Sequence, residues 1–261
     1  MSDPRLHDFT NLTDVALRRV QEPAEGIYIA ESLKVISRAI AVGHSPRAIL
    51  CGREWLSQVE TLTSGLDTLP IFVGSSELLE HITGYHVHRG ALAAMSRPAG
   101  LNVIDVVREA NSLVILEGIM DHTNVGAIFR SVVALGADAV LITNDCADPL
   151  YRRSVRVSMG AALSVPWARM TSWTETRSIL ESSGFTIAAL SLTPHAVPIS
   201  ETSLSSLHKV ALVLGSEGNG LSEVALKHSD LEVYIPMRNG VDSLNVSAAA
   251  AVAMFSVFGT S

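Results

Sequence analysis

Five runs in the second half of the chain, LVILEG, AVLIT, FTIAALSL, KVALVLG and LEVYIP, are largely apolar at successive positions rather than at alternate ones. Side chains leave a strand on opposite faces in turn, so a run apolar throughout must be buried on both faces. Helical stretches separate the runs. In NVGAIFRSVVALG the apolar stripe is Val125, Ile128, Phe129 and Val132, and Thr123 or Asn124 is placed to cap the helix. Strands of this kind alternating with helices predict an α/β fold with a mostly parallel sheet covered on both faces. With 48% hydrophobic and 17% charged residues, 261 residues can supply that core and a second domain besides.

The first hundred residues predict a smaller α/β unit. VALRRVQ, SLKVISRAIAVG and ELLEHITG read as helices; GIYIAES, RAILCG, LPIFVGS and ALAAMSRP read as strands. Pro98, Ala99 and Gly100 end the last strand before a new amphipathic stretch, which predicts a linker over 96–102 and domains at 1–98 and 99–261. No repeat or heptad pattern is present, and the only compositional tract is the alanine run 248–251.

Charge and composition exclude several classes. A net charge of -7 argues against a surface that grips nucleic acid everywhere, leaving local patches, of which YRRSVR with Arg152, Arg153 and Arg156 is the densest. Taken alone it also fits a solvated helix face. No apolar run reaches the roughly 18 to 20 residues that span a bilayer, and MSDPRLHDF lacks the basic-then-apolar order of a secretory signal, so a cytoplasmic protein is expected. Cys51 and Cys146 are far apart and lack metal-ligand spacing; buried apolar roles and no metal are expected.

Three loops that follow predicted strands stand where open α/β sheets place their ligands. The first, EGIMDHTNVGAIFRS, contains Asn124, a potential helix cap, and Arg130, which lies between stripe positions and alone reads as an exposed helical arginine. The second, LVLGSEGNGL, brings Gly215, Gly218 and Gly220 together, where a ligand can approach the backbone; its spacing matches neither a dinucleotide fingerprint nor a P-loop. The third, IPMRNGVDSLNVSAAAAVA, crowds Asp242, Ser243 and Asn245 at one helix start, more capping groups than a helix requires.

Together and in this order, NVGAIFRS, LGSEGNGL and IPMRNGVDSLNVS resemble the SpoU/TrmH family of RNA ribose methyltransferases over residues 113–258. IAESLKVISRAI and ITGYHVHRGALA resemble the ribosomal-protein-like RNA-binding domain that many members carry, with Ser32 standing where such domains often have glycine. The resemblance implies S-adenosyl-L-methionine as methyl donor, the 2′-hydroxyl of one RNA ribose as acceptor, a homodimer and a C-terminal trefoil knot. It also implies a cofactor site enclosed by the loop 214–218 with Leu214, Gly215 and Gly218, the strand end Ile235, Pro236 and Met237, and the turn at Leu244. Arg130, Asn124, Glu217, Ser243 and Asn245 match the family's catalytic positions. A guanidinium is effectively always protonated, so Arg130 is expected to bind a phosphate and orient the ribose rather than to act as a base. Arg89, Arg152, Arg153 and Arg156 are the expected RNA contacts. Ribosomal RNA is preferred as substrate, the alternatives being transfer RNA and a catalytically silent RNA-binding relative.

Overall fold

The computed structural model describes residues 3–87, 90–238 and 243–259. In chain order its first elements are α1 (Val15–Ala24), β1 (Ile27–Glu31), α2 (Leu33–Ala41), β2 (Pro46–Gly52), α3 (Leu56–Leu62), β3 (Ile71–Gly74), α4 (Ser76–Thr83) and β4 (Ala91–Ser96). There follow α5 (Val103–Arg108), β5 (Ser112–Leu116), α6 (His122–Leu135), β6 (Ala139–Ile142), α7 (Arg152–Val157), β7 (Trp167–Arg169) and α8 (Trp173–Ser182). The last are β8 (Thr186–Leu190), β9 (Val197–Pro198), β10 (Val210–Leu214), α9 (Glu223–Lys227), β11 (Leu231–Tyr234) and α10 (Val246–Phe258).

Two compact units result. The first joins Met1–Ala99 to Leu150–Ser164; the second joins Gly100–Pro149 to Val165–Ser261. The first unit therefore includes the YRRSVR segment, which lies about fifty residues beyond the predicted linker.

In the first unit the sheet order is β1-β4-β2-β3, with β4 antiparallel to both neighbours and β3 parallel to β2. Phe9, Leu12, Ile29, Leu50, Leu79 and Leu92 lie in its core. Helix α1 reverses the usual amphipathic arrangement. Capped by Asp14, it buries Arg18 and Glu22 while Val20 is 72% exposed and Val15 and Leu17 also face outward. Arg18 Nε donates to Glu22 Oε1 at 2.9 Å and its Nη2 to the Asp8 carbonyl at 3.1 Å, partners without which a buried charge would be too costly to keep. Ser32 takes φ +87°, ψ 146°, a region that glycine alone occupies without strain, while its hydroxyl caps α2 through the Val35 amide. Its backbone thus follows the glycine pattern from which its side chain departs.

Helix α7 is fastened to β1 by a buried carboxylate. Glu31, 4% exposed, accepts from Arg152 Nη1 at 3.1 Å and lies 3.6 Å from Arg156 Nη1. The Arg152 guanidinium sits 4.3 Å above the Tyr85 ring and donates to the Leu12 carbonyl at 3.3 Å. Arg152 is thus committed inside the fold, Arg156 partly so, and Arg153 is exposed.

In the second unit seven parallel strands run in the order β7-β6-β5-β10-β8-β11-β9. Leu113, Ile115, Ala211 and Val213 face a core shared with Val106 and Val107 of α5, Leu180 of α8 and Ala225 of α9. The alternate residues Val114, Leu116, Leu212 and Leu214 are equally buried on the other side, where α10 packs against β10 and α6 against α10. That double burial is why the strand sequences do not alternate. Strands β7 and β9, of three and two residues, are too short to leave a periodic signal, and α3 was hidden because Val59 alone of its residues is buried.

Candidate functional site

The parallel strands all end at one edge of the second sheet, and the loops leaving β8, β10 and β11 surround a pocket of about 400 Å³ there. Sheets of this kind bind ligands beyond the carboxyl ends of their strands, where backbone amides and short loops converge. The walls are Leu190 to Thr193 after β8, residues 214–221 after β10, Tyr234, Ile235 and Met237 at the end of β11, and Ser243, Leu244, Val246 and Ala249 at the start of α10. Of the residues expected to hold a cofactor, Leu214, Gly215, Gly218, Ile235, Met237 and Leu244 line it; Pro236 does not. The wall after β8 was not singled out in the sequence, although FTIAALSL reads as a strand and its carboxyl end marks a ligand edge like the others.

The glycine loop has a geometric cause of its own. A Cβ on Gly215 would meet the Gly220 carbonyl carbon at 2.4 Å and the Leu221 nitrogen at 2.6 Å, because the loop returns on itself and Gly220 N donates to Ser216 O at 2.9 Å. Gly220 turns the chain at φ +66°, whereas a Cβ on Gly218 would meet no atom within 4 Å. Gly215 is thus required by the loop's own backbone. The far end of the loop is held by Glu117, which accepts from Ser222 N at 2.8 Å, Ser222 Oγ at 2.9 Å and Trp173 Nε1 at 2.7 Å.

Beside the pocket three side chains close a polar cluster. Asn124 Nδ2 donates to Glu217 Oε2 at 3.1 Å, and Asn245 Nδ2 donates to Asn124 Oδ1 at 3.2 Å and, more closely, to Glu217 Oε1. The amide of Val246 adds a bond to Glu217 Oε1 at 3.3 Å. Glu217 therefore sits where the N-termini of α6 and α10 converge. Asn245 caps α10 through its Oδ1, as its position at the helix start predicts. For α6 the expected cap is corrected: Asp121, not Thr123 or Asn124, accepts from the Thr123 and Asn124 amides, at 2.6 and 3.1 Å. The helix starts two residues early, and that releases the Asn124 side chain to the cluster.

Arg130 stands apart from it. Six residues after Asn124, it lies about 9 Å further along the helix axis and a third of a turn round, is exposed, and forms no side-chain hydrogen bond or ion pair among the described residues. Ser243 lines the pocket without joining the cluster. Arg89 and Asp242 lie outside the described residues. Cys51 and Cys146 are free and buried, and burial pushes the Cys51 thiol up to about 11, so it stays protonated and unreactive at neutral pH. Among the described residues no three His, Cys, Asp or Glu side chains are grouped to hold a metal, and no helix is long and apolar enough to cross a membrane.

A family model described as the SpoU rRNA Methylase family matches residues 111–255. An uncharacterized tRNA/rRNA methyltransferase of Mycobacterium tuberculosis is 40% identical over 256 residues, covering 97% of this chain and 88% of that protein. A 23S rRNA (guanosine-2′-O-)-methyltransferase of Haemophilus influenzae is 31% identical over 227 residues, covering 82% of this chain and 91% of that protein. Among solved structures, an AdoMet-bound rRNA methyltransferase from Sinorhizobium meliloti has a TM-score of 0.83 at 22% identity, covering 98% of this chain and 94% of its own. The SpoU methyltransferase AviRb from Streptomyces viridochromogenes, in complex with AdoMet, also has a TM-score of 0.83 at 22% identity, covering 97% of both chains. At that identity the likeness is one of fold.

Proposed function

The chain belongs to the SpoU rRNA methylase family, and we propose that it transfers a methyl group from S-adenosyl-L-methionine to the 2′-hydroxyl of a ribose in structured RNA, ribosomal RNA before transfer RNA. The observation that carries this reading is the place of Glu217, which lines the pocket and also binds Asn124 and Asn245 across the starts of two helices. Pocket and polar cluster thereby share one wall. Leu190, Leu214 and Leu226 offer apolar surface to a purine, while Ser191, Thr193 and Ser243 offer hydroxyls to polar substituents, a combination suited to a nucleoside with an amino-acid arm.

When bound, the cofactor supplies a methyl carbon activated by its sulfonium. The chain's own residues have to align the ribose oxygen with that carbon and assist loss of the hydroxyl proton. Alignment of this kind contributes about 7–11 kcal/mol when both reactants are well held. Glu217 and the two asparagines form a fixed set of donors and acceptors for that task, since each is already oriented by the others. Arg130, unpaired among the described residues, offers a planar guanidinium to the phosphate next to the target ribose. We assign recognition of the RNA to residues 1–98 and transfer to residues 99–261, with the exposed Arg153 as a phosphate contact. Exposed Val133 on α6 and Val252 and Phe255 on α10 support a homodimer formed across these helices, and we also propose the family's trefoil knot and a cytoplasmic location.

The test is transfer of labelled methyl from S-adenosyl-L-methionine to total RNA, followed by mapping of the modified nucleotide. Arg130→Ala should abolish transfer and leave cofactor binding intact. A substrate with deoxyribose at the target should bind and accept nothing; full transfer to it would point to a base instead. Cofactor and RNA binding without any transfer would mark a silent relative.

A further inference from the structure

Glu232 lies on β11 beside the end of β8, opposite Ala189 in the parallel register, and is not part of the pocket wall. A single oxygen of it, Oε2, accepts from Ser191 Oγ at 2.8 Å and from Thr193 Oγ1 more closely still. Both hydroxyls belong to residues that do line the pocket. Apart from these bonds the loop is tied by Ser191 N to Val233 O at 2.9 Å, by the internal Ala196 N to Thr193 O bond at 3.2 Å and by a long 3.5 Å contact between the two hydroxyls. Leu192, between the two hydroxyl residues, is 64% exposed, so core packing does not fix the loop either. A carboxylate serving only as a solvated surface charge has no reason to gather two side chains on one oxygen.

We propose that Glu232 is a positioning residue for the cofactor pocket: its carboxylate holds the Ser191 and Thr193 hydroxyls in the wall, so that the loop after β8 is preformed for S-adenosyl-L-methionine. This rests on the reading of the pocket as the cofactor site. The state of the carboxylate agrees with it. The Thr193 hydroxyl, against the opposing effect of partial burial, and the Ser191 hydroxyl with it hold Glu232 below the usual carboxylate range, so at neutral pH it is charged and its bonds are charge-assisted. His195 is the other charged or titratable group felt there.

The full-length protein is assayed by calorimetry with S-adenosyl-L-methionine and by transfer to RNA. Glu232→Ala should raise the cofactor Kd and KM about 10- to 100-fold, taking as the scale the cost of removing a group that orients a metal-binding side chain. The kcat at saturating cofactor should stay within about twofold, because the lost interaction serves binding and not the transition state. Glu232→Gln, which keeps an acceptor oxygen, should recover most of the affinity. Should Glu232→Ala fail to fold, Glu232→Asp, whose shorter side chain draws the carboxylate back from the two hydroxyls, must show the raised Kd. Unchanged cofactor affinity in these variants, or a fall in kcat at unchanged KM, would overturn the proposal while leaving the pocket assignment standing. A wild-type protein that binds no S-adenosyl-L-methionine would sink both.

Discussion

Gly215→Ala is the smallest change that should disable the pocket. The added carbon would lie 2.4 Å from the Gly220 carbonyl carbon, against a comfortable carbon–carbon separation of about 3.5–4.0 Å, so residues 220–221 have to retreat by at least ~1 Å. No flexible side chain can give way, since the three nearest atoms are all backbone. Overpacking of this kind costs about 1–3 kcal/mol. For a domain of this size that lowers Tm by roughly 2–4 °C per kcal/mol. The retreat breaks the Ser216–Gly220 bridge and moves the wall formed by residues 214–221. A misplacement of ~1 Å at a binding wall can cost about a hundredfold. The control lies in the same loop: Gly218→Ala meets nothing within 4 Å and has no positive φ, so its stability should stay within about 0.5 kcal/mol of wild type. Thermal and urea unfolding give the stability of the two variants, and calorimetry with S-adenosyl-L-methionine on Gly215→Ala gives the affinity. If Gly215→Ala unfolds with Gly218→Ala and binds like wild type, the return of the loop does not explain the glycine.

Arg152→Ala should destabilise the first unit by about 3 kcal/mol, because it leaves buried Glu31 with the more distant Arg156 as its cation and the Tyr85 hydroxyl at 3.4 Å; Arg153→Ala should leave unfolding unchanged and weaken RNA binding in a salt-dependent manner. Equal stability losses for the two would contradict the buried pairing. Ser32→Gly should raise stability by about 1 kcal/mol in urea, since relief of about 1–3 kcal/mol of backbone strain outweighs a capping loss of a few tenths. A less stable glycine variant would show that Ser32 is not strained. Burial raises the Asp138 carboxyl, but bonds from the Asn111 amide and from the amide and hydroxyl of Ser112 outweigh it and leave the value below 3.8. A lowered folded-state value adds stability that is complete above 3.8 and lost as pH falls through the folded value. The stability difference between wild type and Asp138→Asn should therefore be flat near neutrality and shrink below pH 3.8.

Burial on two faces wrote itself into the second sheet: Leu113 and Val114, or Val213 and Leu214, are buried side by side, so the strands were legible without any register. Most of the pocket lining and the polar cluster beside it were legible because glycine, carboxylate and amide types were placed at strand ends. Less could be read where a residue's role depends on distant chain. Arg152 looks like a surface arginine in YRRSVR until Glu31, 121 positions away, is brought against it. Helix α1 was legible as a helix, but its sequence cannot say that Arg18 and Glu22 turn inward while Val20 turns out. Glu232 gave no sign at all, since its partners are set by the pairing of β11 with β8. Asp121 could have been found as a cap, being the acidic residue three positions before Asn124.

The interleaved course of the chain also imposes an order on synthesis. Leu150–Ser164 belongs to the first unit but is made only after Gly100–Pro149, which belongs to the second. At about 5–20 residues per second on a ribosome, that interval lasts roughly 3–10 s. Through those seconds the amino-terminal sheet has β1 without α7, and Glu31 without its arginine. A chain truncated at Ala99 inherits that state permanently, and one beginning at Gly100 carries α7 with no strand to receive it.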